Sequence, residues 1–256
     1  MYIVILKLPI IFAHRGANSF APENSISAFE KAIDIGCDGI ELDVRLCASG
    51  EVVVFHDRST ARLTGHRGSI HKMTFSEIKQ LILRNIDSTI EKIPTLDQIL
   101  ELARKKVLIN IDIKKDPFSK NRLEEKIIEI LKHHGLKENI ILSSFNPFVL
   151  KKIAGLYPDL HNGFIFRNRS SMMFLNGQPV QSLHARYRIL DKNYLSNLTQ
   201  RAGEIYAWTI DEAKGMLEQI QMGIHGIISN KPEIFLQLKQ LMQTEKMSLQ
   251  ELITFY

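Results

Sequence analysis

The sequence is poor in cysteine and has no long uninterrupted apolar run. Cys37 and Cys47 are the only cysteines among 256 residues, too few for a disulfide scaffold in a chain of this length. Lys7 and Pro9 interrupt the largely apolar segment 1–13, and no small-residue cleavage site follows it, so we do not expect a signal peptide. No apolar run approaches the roughly 20 residues that cross a bilayer. We therefore predict a cytoplasmic protein without stable membrane insertion.

Neither sign of charge is in large excess. The formal net charge is +5, from 33 Lys and Arg against 28 Asp and Glu. The basic clusters at 104–106 and 114–115 are short and contain no aromatic residues, so the sequence disfavours nucleic acid as a partner. A small anionic substrate is compatible with this charge.

Pro-, Gly- or Ser-rich linkers, low-complexity tracts and internal repeats are also missing from the sequence. A chain of 256 residues can form two small domains or one large one, and α/β barrels commonly reach this length as one unit. Hydrophobic residues make up 45% of the chain and charged residues 24%, which is typical of globular proteins. We predict a single domain over residues 1–256.

The sequence does contain a regular alternation of short apolar segments and amphipathic segments. The predicted strands are 10–13, 39–44, 52–55, 107–113, 140–143, 163–166, 205–209 and 226–229, with a weaker ninth candidate at 180–183. Several of them are almost continuously apolar, which is typical of strands covered on both faces.

Helical patterns with recognisable ends lie between these strands. A helix opened by residues 22–25 has apolar residues at helical spacing as far as Ile33, and Thr74 with Glu77 predicts a capping box for another helix. Alternation of strand and helix predicts parallel strands with helices outside. Eight strands in about 250 residues favour an α/β fold of the closed (β/α)8 TIM-barrel type.

One connection breaks this pattern. Val44 and Val52 are so close in sequence that no crossover helix fits between them. We therefore expect the barrel to be irregular between its second and third strands, or to contain a local hairpin there.

Charged side chains cluster at the ends of the first four predicted strands. Active-site residues of such barrels lie at the C-terminal strand ends, where this sequence has His14, Arg15, Glu41, Asp43, His56, Asp112 and Lys114. The two-residue period of a strand puts Glu41 and Asp43 on one side. Any one of these residues has an ordinary structural explanation, such as a salt bridge at the rim. Their convergence favours a shared site, because burying unpaired charge is costly.

The residue types in this set suit cleavage of a phosphodiester. Three carboxylates are typical ligands of Mg²⁺ or Ca²⁺, whereas zinc more often recruits histidines or thiols. Arg15 and Lys114, together with such a cation, could hold an anion such as phosphate. His14 and His56 could supply the base and the acid.

Eight sequence motifs, in this order, resemble the glycerophosphodiester phosphodiesterase family. They span residues 14 to 233 and read HRGANSFAPENSISAF, GCDGIELDVRL, GEVVVFHD, LTGHRGSIHKMT, IPTLDQIL, INIDIK, YAWTI and GIHGIISNKPE. The resemblance implies a TIM barrel that hydrolyses deacylated phospholipids, such as glycerophosphocholine or glycerophosphoethanolamine, to sn-glycerol 3-phosphate and an alcohol.

The resemblance also implies roles for individual residues. The implied acid and base are His14 and His56, the implied substrate-binding residues are Arg15, Lys114, His184 and Trp208, and the implied ligands of Mg²⁺ or Ca²⁺ are Glu41, Asp43 and Asp112.

Two positions depart from the family pattern. The family usually has Glu where this chain has Asp112, which is one methylene shorter and puts the metal distance and the preferred ion in question. Asn230 stands where the family has Asp. We expect this position to cap the last helix, for which Asn is almost as good as Asp.

Two alternative functions stay open. A phospholipase of C or D type could cleave lysolipids on a related barrel, and residues 172–175 would then be the candidate membrane-docking patch. Alternatively, the barrel could bind glycerophosphodiesters without turnover, although both histidines are present. The sequence leaves the oligomeric state open.

Overall fold

The computed structural model describes residues 8–84, 90–115, 119–243 and 247–256. The strands of this part of the chain are β1 (Ile10–His14), β2 (Gly39–Leu46), β3 (Val52–Val54), β4 (Ile82–Leu83), β5 (Glu91–Lys92), β6 (Leu108–Ile113), β7 (Ile140–Ser144), β8 (His161–Phe166), β9 (Ser182–Arg186), β10 (Glu204–Trp208) and β11 (Gly226–Ser229).

The α-helices described in the same ranges are α1 (Ile26–Asp34), α2 (Ala61–Thr64), α3 (Phe75–Ile78), α4 (Leu96–Ala103), α5 (Leu123–His133), α6 (Pro147–Leu156), α7 (Lys192–Thr199), α8 (Ala213–Met222), α9 (Pro232–Gln243) and α10 (Leu249–Phe255). Three 3₁₀ segments accompany them, at Ile70–Lys72, Arg169–Leu175 and Tyr187–Ile189.

Eight strands close into a parallel barrel. Their order is β1, β2, β6, β7, β8, β9, β10 and β11, and β11 pairs with β1 again. Helices surround the barrel, because each parallel pairing needs a crossover that runs outside the sheet. The predicted TIM barrel is confirmed.

The structure changes which predicted strands belong to the barrel. The segment 52–55 contains β3, which pairs antiparallel with β2 and is not a barrel strand. The local hairpin is thus confirmed, but counting this segment among the eight barrel strands was wrong. The eighth barrel strand is β9, in the region of the weaker candidate. Its apolar pattern is weak because its inward-facing residues, Ser182 and His184, are polar.

The connection from β2 to α4 forms a small substructure beside the barrel mouth. A separate apolar cluster holds it together, made of Cys47, Val53, Phe55, Ile70, Ile78, Leu81, Leu83 and Ile93. The backbone N–H of Phe55 donates to the carbonyl oxygen of Asp43 at 2.8 Å, which fastens this substructure to the end of β2. His56 therefore reaches the mouth although β3 lies outside the barrel.

Apolar side chains fill the barrel interior below the mouth. Phe12, Ile141, Tyr206 and Ile228 form one buried cluster, and the rings of Phe12 and Tyr206 meet edge to face at 5.6 Å. A β-carbon on Gly39 would lie 2.4 Å from the Phe12 ring, so only glycine leaves room for this packing. The remaining open space lies at the C-terminal ends of the strands.

The outer helices largely follow the predicted pattern. The capping box of Thr74 and Glu77 is present on α3. The first helix begins later than predicted, at Ile26, where the side chain of Ser25 accepts a hydrogen bond from the N–H of Ala28 at 3.1 Å. Residues 22–24 are therefore free to fold back towards the barrel mouth. No helix in the described part of the chain is long and apolar enough to span a membrane.

Candidate active site

The chain turns sharply after β1 and presents His14 and Arg15 at the barrel mouth. Arg15 and Gly16 both have left-handed backbone conformations, with φ of 60° and 81°. A β-carbon on Gly16 would lie 2.7 Å from atoms of Ala28, so a side chain does not fit there. The N–H of Arg15 donates to Oε2 of Glu41 at 3.0 Å, which ties the turn to β2.

Three buried carboxylates lie together beside this turn. Glu41 and Asp43 are on β2, Asp112 is on β6, and their exposures are 4%, 1% and 3%. One oxygen from each lies within 4.8 Å of the other two. Two oxygens bound to one Mg²⁺ or Ca²⁺ are at most about 5 Å apart, so this spacing fits a single cation. The shorter side chain of Asp112 therefore reaches the cluster.

The ionisation of these carboxylates also points to a cation. Burial and the charges of Asp43 and Asp112 raise the pKa of Glu41 well above its usual value. Burial, reinforced by Asp43 and opposed by Lys114, raises the pKa of Asp112. Oδ1 of Asp112 is buried without a hydrogen-bond partner. A divalent cation would stabilise all three carboxylate anions and would accept the lone pair of this unpartnered oxygen.

Two cationic side chains surround Asp43. Nζ of Lys114 lies 3.0 Å from Oδ1 of Asp43 and also pairs with Asp112, and Nε of Arg15 lies 3.2 Å from Oδ2 of Asp43. Burial opposes the ionisation of Asp43, but these two cations keep its pKa below the usual range. Lysine has three N–H donors and arginine five, so both can still bind an anion in the pocket.

Asn230 holds the ring of His14. Nδ1 of His14 lies 2.6 Å from Oδ1 of Asn230, which also accepts a hydrogen bond from Nδ2 of Asn18. Nδ2 of Asn230 donates to Oδ2 of Asp211 at 2.8 Å. Because Oδ1 of Asn230 accepts, Nδ1 of His14 carries the proton and Nε2 has the free lone pair. Burial and the charge of Arg15 lower the pKa of His14 to about 4.

The expectation that residue 230 caps the last helix was wrong. The hydroxyl of Ser229 accepts the hydrogen bond from the N–H of Lys231 at 2.9 Å, just before α9. The side chain of Asn230 faces His14 instead, which lies 216 residues away in sequence. Only the closure of the barrel between β11 and β1 brings the two side chains together.

A chain of charged side chains orients His56. Its Nδ1 lies 2.7 Å from Oδ1 of Asp57, and Oδ2 of Asp57 accepts from Nε of Arg62 at 2.6 Å. Both terminal nitrogens of Arg62 donate to Glu23, which in turn pairs with Arg15. The surroundings of His56 are thus linked to Arg15 through Glu23.

All nine predicted site residues meet at one pocket, which has a volume of ≈ 130 Å³. Asp43 lies at its edge in contact with Arg15 and Lys114. The other eight line the pocket and are His14, Arg15, Glu41, His56, Asp112, Lys114, His184 and Trp208. Their individual roles stay predictions.

His184 and Trp208 form the wall of the pocket on β9 and β10. Nε1 of Trp208 donates to the carbonyl oxygen of His184 at 2.9 Å. His184 is fully buried, and its Nε2 lies 2.9 Å from Oγ of Ser182. Burial and the neighbouring His161 lower the pKa of His184 to about 3, so it is neutral at ordinary pH.

The sequence analysis missed Phe145 and Arg167, which also line the pocket. They directly follow β7 and β8. The Phe145 ring meets the Trp208 ring edge to face at 5.6 Å, and the guanidinium of Arg167 lies over Phe145 at 5.2 Å. Inspecting the ends of all the barrel strands, instead of the first four, would have found both residues.

Asn24 was also missed, because residues 22–25 were interpreted as the start of a helix. Its Nδ2 donates to Oδ2 of Asp43 at 2.9 Å, and its Oδ1 accepts from the N–H of Asp43 at 3.3 Å. Its left-handed φ of 60° turns the chain inward. Asn is one of the residues that tolerate this conformation. An Asn between Pro-Glu and Ser was therefore the only hint in the sequence of a turn at this position.

Comparison with known proteins identifies the family. Residues 14–234 match the model of the glycerophosphoryl diester phosphodiesterase family. The chain belongs to this family. A glycerophosphodiester phosphodiesterase of Caldanaerobacter subterraneus subsp. tengcongensis is 34% identical over 236 residues, which cover 90% of this chain and 97% of the relative. The predicted family and the prediction of a hydrolytic enzyme are thereby confirmed.

Solved structures agree with this family assignment. A phosphodiesterase of Oleispira antarctica, in complex with the product sn-glycerol-3-phosphate, has a TM-score of 0.83 and 27% identity, covering 90% of this chain and 96% of that chain. A glycerophosphodiester phosphodiesterase of Thermotoga maritima has a TM-score of 0.74 and 29% identity, covering 91% and 99%. The barrel of this protein is therefore the barrel of the family.

Proposed function

We propose that this glycerophosphodiester phosphodiesterase hydrolyses deacylated phospholipids to sn-glycerol 3-phosphate and an alcohol. His14 and His56 act as base and acid, and the reaction depends on a divalent cation. The observation that carries the proposal is the convergence of two histidines, three buried carboxylates and two cations on one pocket. The product bound to the Oleispira antarctica relative is the one that this reaction would release.

Glu41, Asp43 and Asp112 would hold the cation. Their donor set consists of carboxylate oxygens alone, as Mg²⁺ and Ca²⁺ prefer, and the mutual spacing within 4.8 Å suits one ion. When bound, the cation would offset the negative charge of the phosphodiester and the charge that develops on its oxygens. Arg15 and Lys114 would bind the same phosphate from the pocket wall, Arg15 through its planar guanidinium.

His14 is the better candidate for the base. Its Nδ1 proton is engaged by Asn230, and its pKa of about 4 leaves Nε2 unprotonated near neutral pH. His56 is the better candidate for the acid, because its Nδ1 pairs with the carboxylate of Asp57 at 2.7 Å. With Nδ1 held by this partner, Nε2 is the ring nitrogen left to donate to the departing oxygen.

The proposed reaction needs one proton transfer at each histidine. Nε2 of His14 removes a proton from the attacking water, whose oxygen forms a bond to phosphorus. The bond from phosphorus to the alcohol oxygen breaks, and Nε2 of His56 gives its proton to that oxygen. The buffer then exchanges protons with both rings and restores the starting state.

The dimensions of the pocket favour a small substrate. A volume of ≈ 130 Å³ suits a glycerol phosphate group, and a wider space of ≈ 490 Å³ that shares His14 and Arg15 with the pocket lies beside it. Lysolipid cleavage by a phospholipase C or D type of reaction is the second candidate, since Met173 and Phe174 are exposed at this face. The acyl chain of a lysolipid would have to lie outside the pocket.

Product analysis on the purified full chain tests the proposal. We expect sn-glycerol 3-phosphate to be released from glycerophosphocholine or glycerophosphoethanolamine, to stop on addition of EDTA, and to resume when Mg²⁺ or Ca²⁺ is added. The same assay with lysophosphatidylcholine compares the second candidate directly. Activity that is indifferent to EDTA would refute the cation site, and faster turnover of the lysolipid would refute the proposed substrate class.

A further inference from the structure

Large apolar side chains are exposed on the face of the barrel that carries the pocket. Phe148, in the first turn of α6, is 76% exposed, and Met173 and Phe174, after β8, are 78% and 69% exposed. These three residues are called the apolar patch below. β7 and β8 are neighbours in the barrel, so the segments that follow them lie side by side. Large apolar side chains exposed together on one face can mark an interaction site.

A hydrogen-bonded contact joins these two segments. The side-chain amide of Gln178, in the orientation that satisfies both partners, donates to the carbonyl oxygen of Pro147 at 3.2 Å and accepts from the N–H of Lys151 at 2.9 Å. Pro147 and Lys151 belong to α6, next to Phe148. α6 and the segment that follows β8 are therefore neighbours, and each contributes to the apolar patch.

The 3₁₀ segment Arg169–Leu175 presents its part of the patch in a fixed orientation. Met172 and Leu175 are only 8% and 7% exposed and pack into the apolar cluster outside the barrel. Met173 and Phe174 lie between these two anchors and face outward. The folded segment therefore holds these two side chains in solvent. The packing of the segment against the barrel does not use them.

The segment that contains the patch is basic. Residues 145–191 contain six Lys or Arg and two Asp. The two acids are already paired, Asp191 with Arg169 and Asp159 with Lys137. The cations of this segment that have no carboxylate at ion-pair distance among the described residues are Lys151, Arg167, Arg186 and Arg188. This segment carries most of the net charge of +5, and its complement is an anionic surface.

We propose that this face of the protein docks peripherally on an anionic lipid surface. The apolar patch enters the headgroup region, and the surrounding basic side chains bind lipid phosphates. Aromatic side chains are favoured at such an interface. Phe145, which is 36% exposed, lies between the patch and the pocket that it lines. Docking therefore turns the pocket mouth towards the membrane, and this inference does not depend on which diester is cleaved.

Vesicle co-sedimentation of the full chain tests the proposal. Vesicles of phosphatidylglycerol and phosphatidylcholine in equal amounts should bind the protein, and vesicles of phosphatidylcholine alone should bind it more weakly. Raising NaCl from about 0.05 M to about 0.5 M should weaken binding to the anionic vesicles, because salt screens the attraction. Equal binding to both kinds of vesicle, or no binding to the anionic ones at low salt, overturns the proposal.

Two matched double variants distinguish binding through the apolar patch from nonspecific binding through any exposed apolar side chain. Met173→Ser/Phe174→Ser should lower the affinity for anionic vesicles about tenfold or more, because two apolar side chains no longer enter the interface. The control Phe255→Ser/Tyr256→Ser removes two exposed aromatics, 75% and 49% exposed, at the end of α10 and should bind as the wild type does. Equal loss in both variants, or in neither, contradicts a specific docking face.

Two further measurements complete the test. Hydrolysis of the water-soluble substrate glycerophosphocholine should be unchanged in both double variants, which shows that they fold and that the pocket is intact. Light scattering coupled to size exclusion should give the same mass for the wild type and for Met173→Ser/Phe174→Ser. If the wild type formed a dimer that this variant abolished, the patch would be covered by a second copy, and the lipid proposal would fall.

Discussion

Nδ1 of His14 lies 2.6 Å from Oδ1 of Asn230, whose amide nitrogen donates to Oδ2 of Asp211 at 2.8 Å. The side-chain amide of Asn230 therefore lies between the imidazole of His14 and the carboxylate of Asp211, and it forms a hydrogen bond with each. An acceptor faces His14, and a donor faces Asp211. This polarity fixes the tautomer of His14, on which its proposed action as a base depends.

The first prediction tests this polarity by exchange. Asn230→Asp should lower kcat about 10- to 100-fold, the usual effect of disturbing a group that orients a functional side chain, because two carboxylates then face each other. Adding Asp211→Asn should restore much of the loss, since the donor and acceptor are exchanged and each hydrogen bond can form again. Steady-state kinetics of Asn230→Asp, of Asp211→Asn and of the double variant give the interaction free energy between the two positions.

Asn230→Ala serves as the control, because it removes the acceptor and no second substitution restores it. KM should change less than kcat in each of these variants, since Asn230 acts on the substrate only through His14. If the losses of kcat in Asn230→Asp and Asp211→Asn simply added in the double variant, the proposed role of the amide would be contradicted.

The second prediction concerns the two histidines. His14→Ala and His56→Ala should each lower the rate of diester hydrolysis roughly 10²- to 10⁴-fold, the range expected for loss of a general acid or base. Thermal unfolding should show that both variants fold. His71→Ala, at an exposed position, is the matched control and should be fully active. Near-normal turnover in either variant would remove that histidine from the reaction.

The third prediction concerns the carboxylates. Glu41→Ala should weaken cation binding, so that the activity needs a higher concentration of Mg²⁺ or Ca²⁺ and excess cation restores part of it. Titration calorimetry with the cation alone provides a readout that does not depend on turnover. Asp159→Ala, which removes an exposed acid, should leave both measurements unchanged. Undiminished cation affinity in Glu41→Ala would place the ion elsewhere.

The fourth prediction concerns stability at acid pH. Burial and His161 hold the pKa of His184 at about 3, against 6.5 for an unperturbed histidine. Between these values the unfolded chain binds a proton that the folded chain does not, so His184 makes the protein less stable as the pH falls. His184→Asn should reduce the pH dependence of the unfolding free energy by about 1.4 kcal/mol per pH unit between about pH 4 and 6.

Chemical denaturation at a series of pH values measures this slope. The wild type and His184→Asn share all other titrating groups, so the buried carboxylates contribute equally to both curves. His71→Asn, at an exposed position, should leave the slope unaltered. Parallel curves for the wild type and His184→Asn would mean that His184 is not held neutral in the folded protein.

The barrel type, the family and the nine residues that meet at the pocket could be predicted from the sequence, His184 and Trp208 only through the resemblance to the family. Strand periodicity decides which side chains share a face, and parallel strands end at one edge, so Glu41, Asp43 and Asp112 could be placed together without coordinates. The short interval after Val44 likewise predicted the hairpin. These features depend on local spacing along the chain, which a sequence displays directly.

The groups that orient these residues, and the strand that completes the barrel, became visible in the folded structure alone. β9 was underestimated because its inward-facing side chains are polar. Polar residues inside a barrel need partners from the folded structure, as Ser182 provides for Nε2 of His184. The contact of Asn230 with His14 spans 216 residues and depends on β11 closing onto β1. Hydrogen bonds between distant segments have no periodic signature, because the closure of the fold creates them.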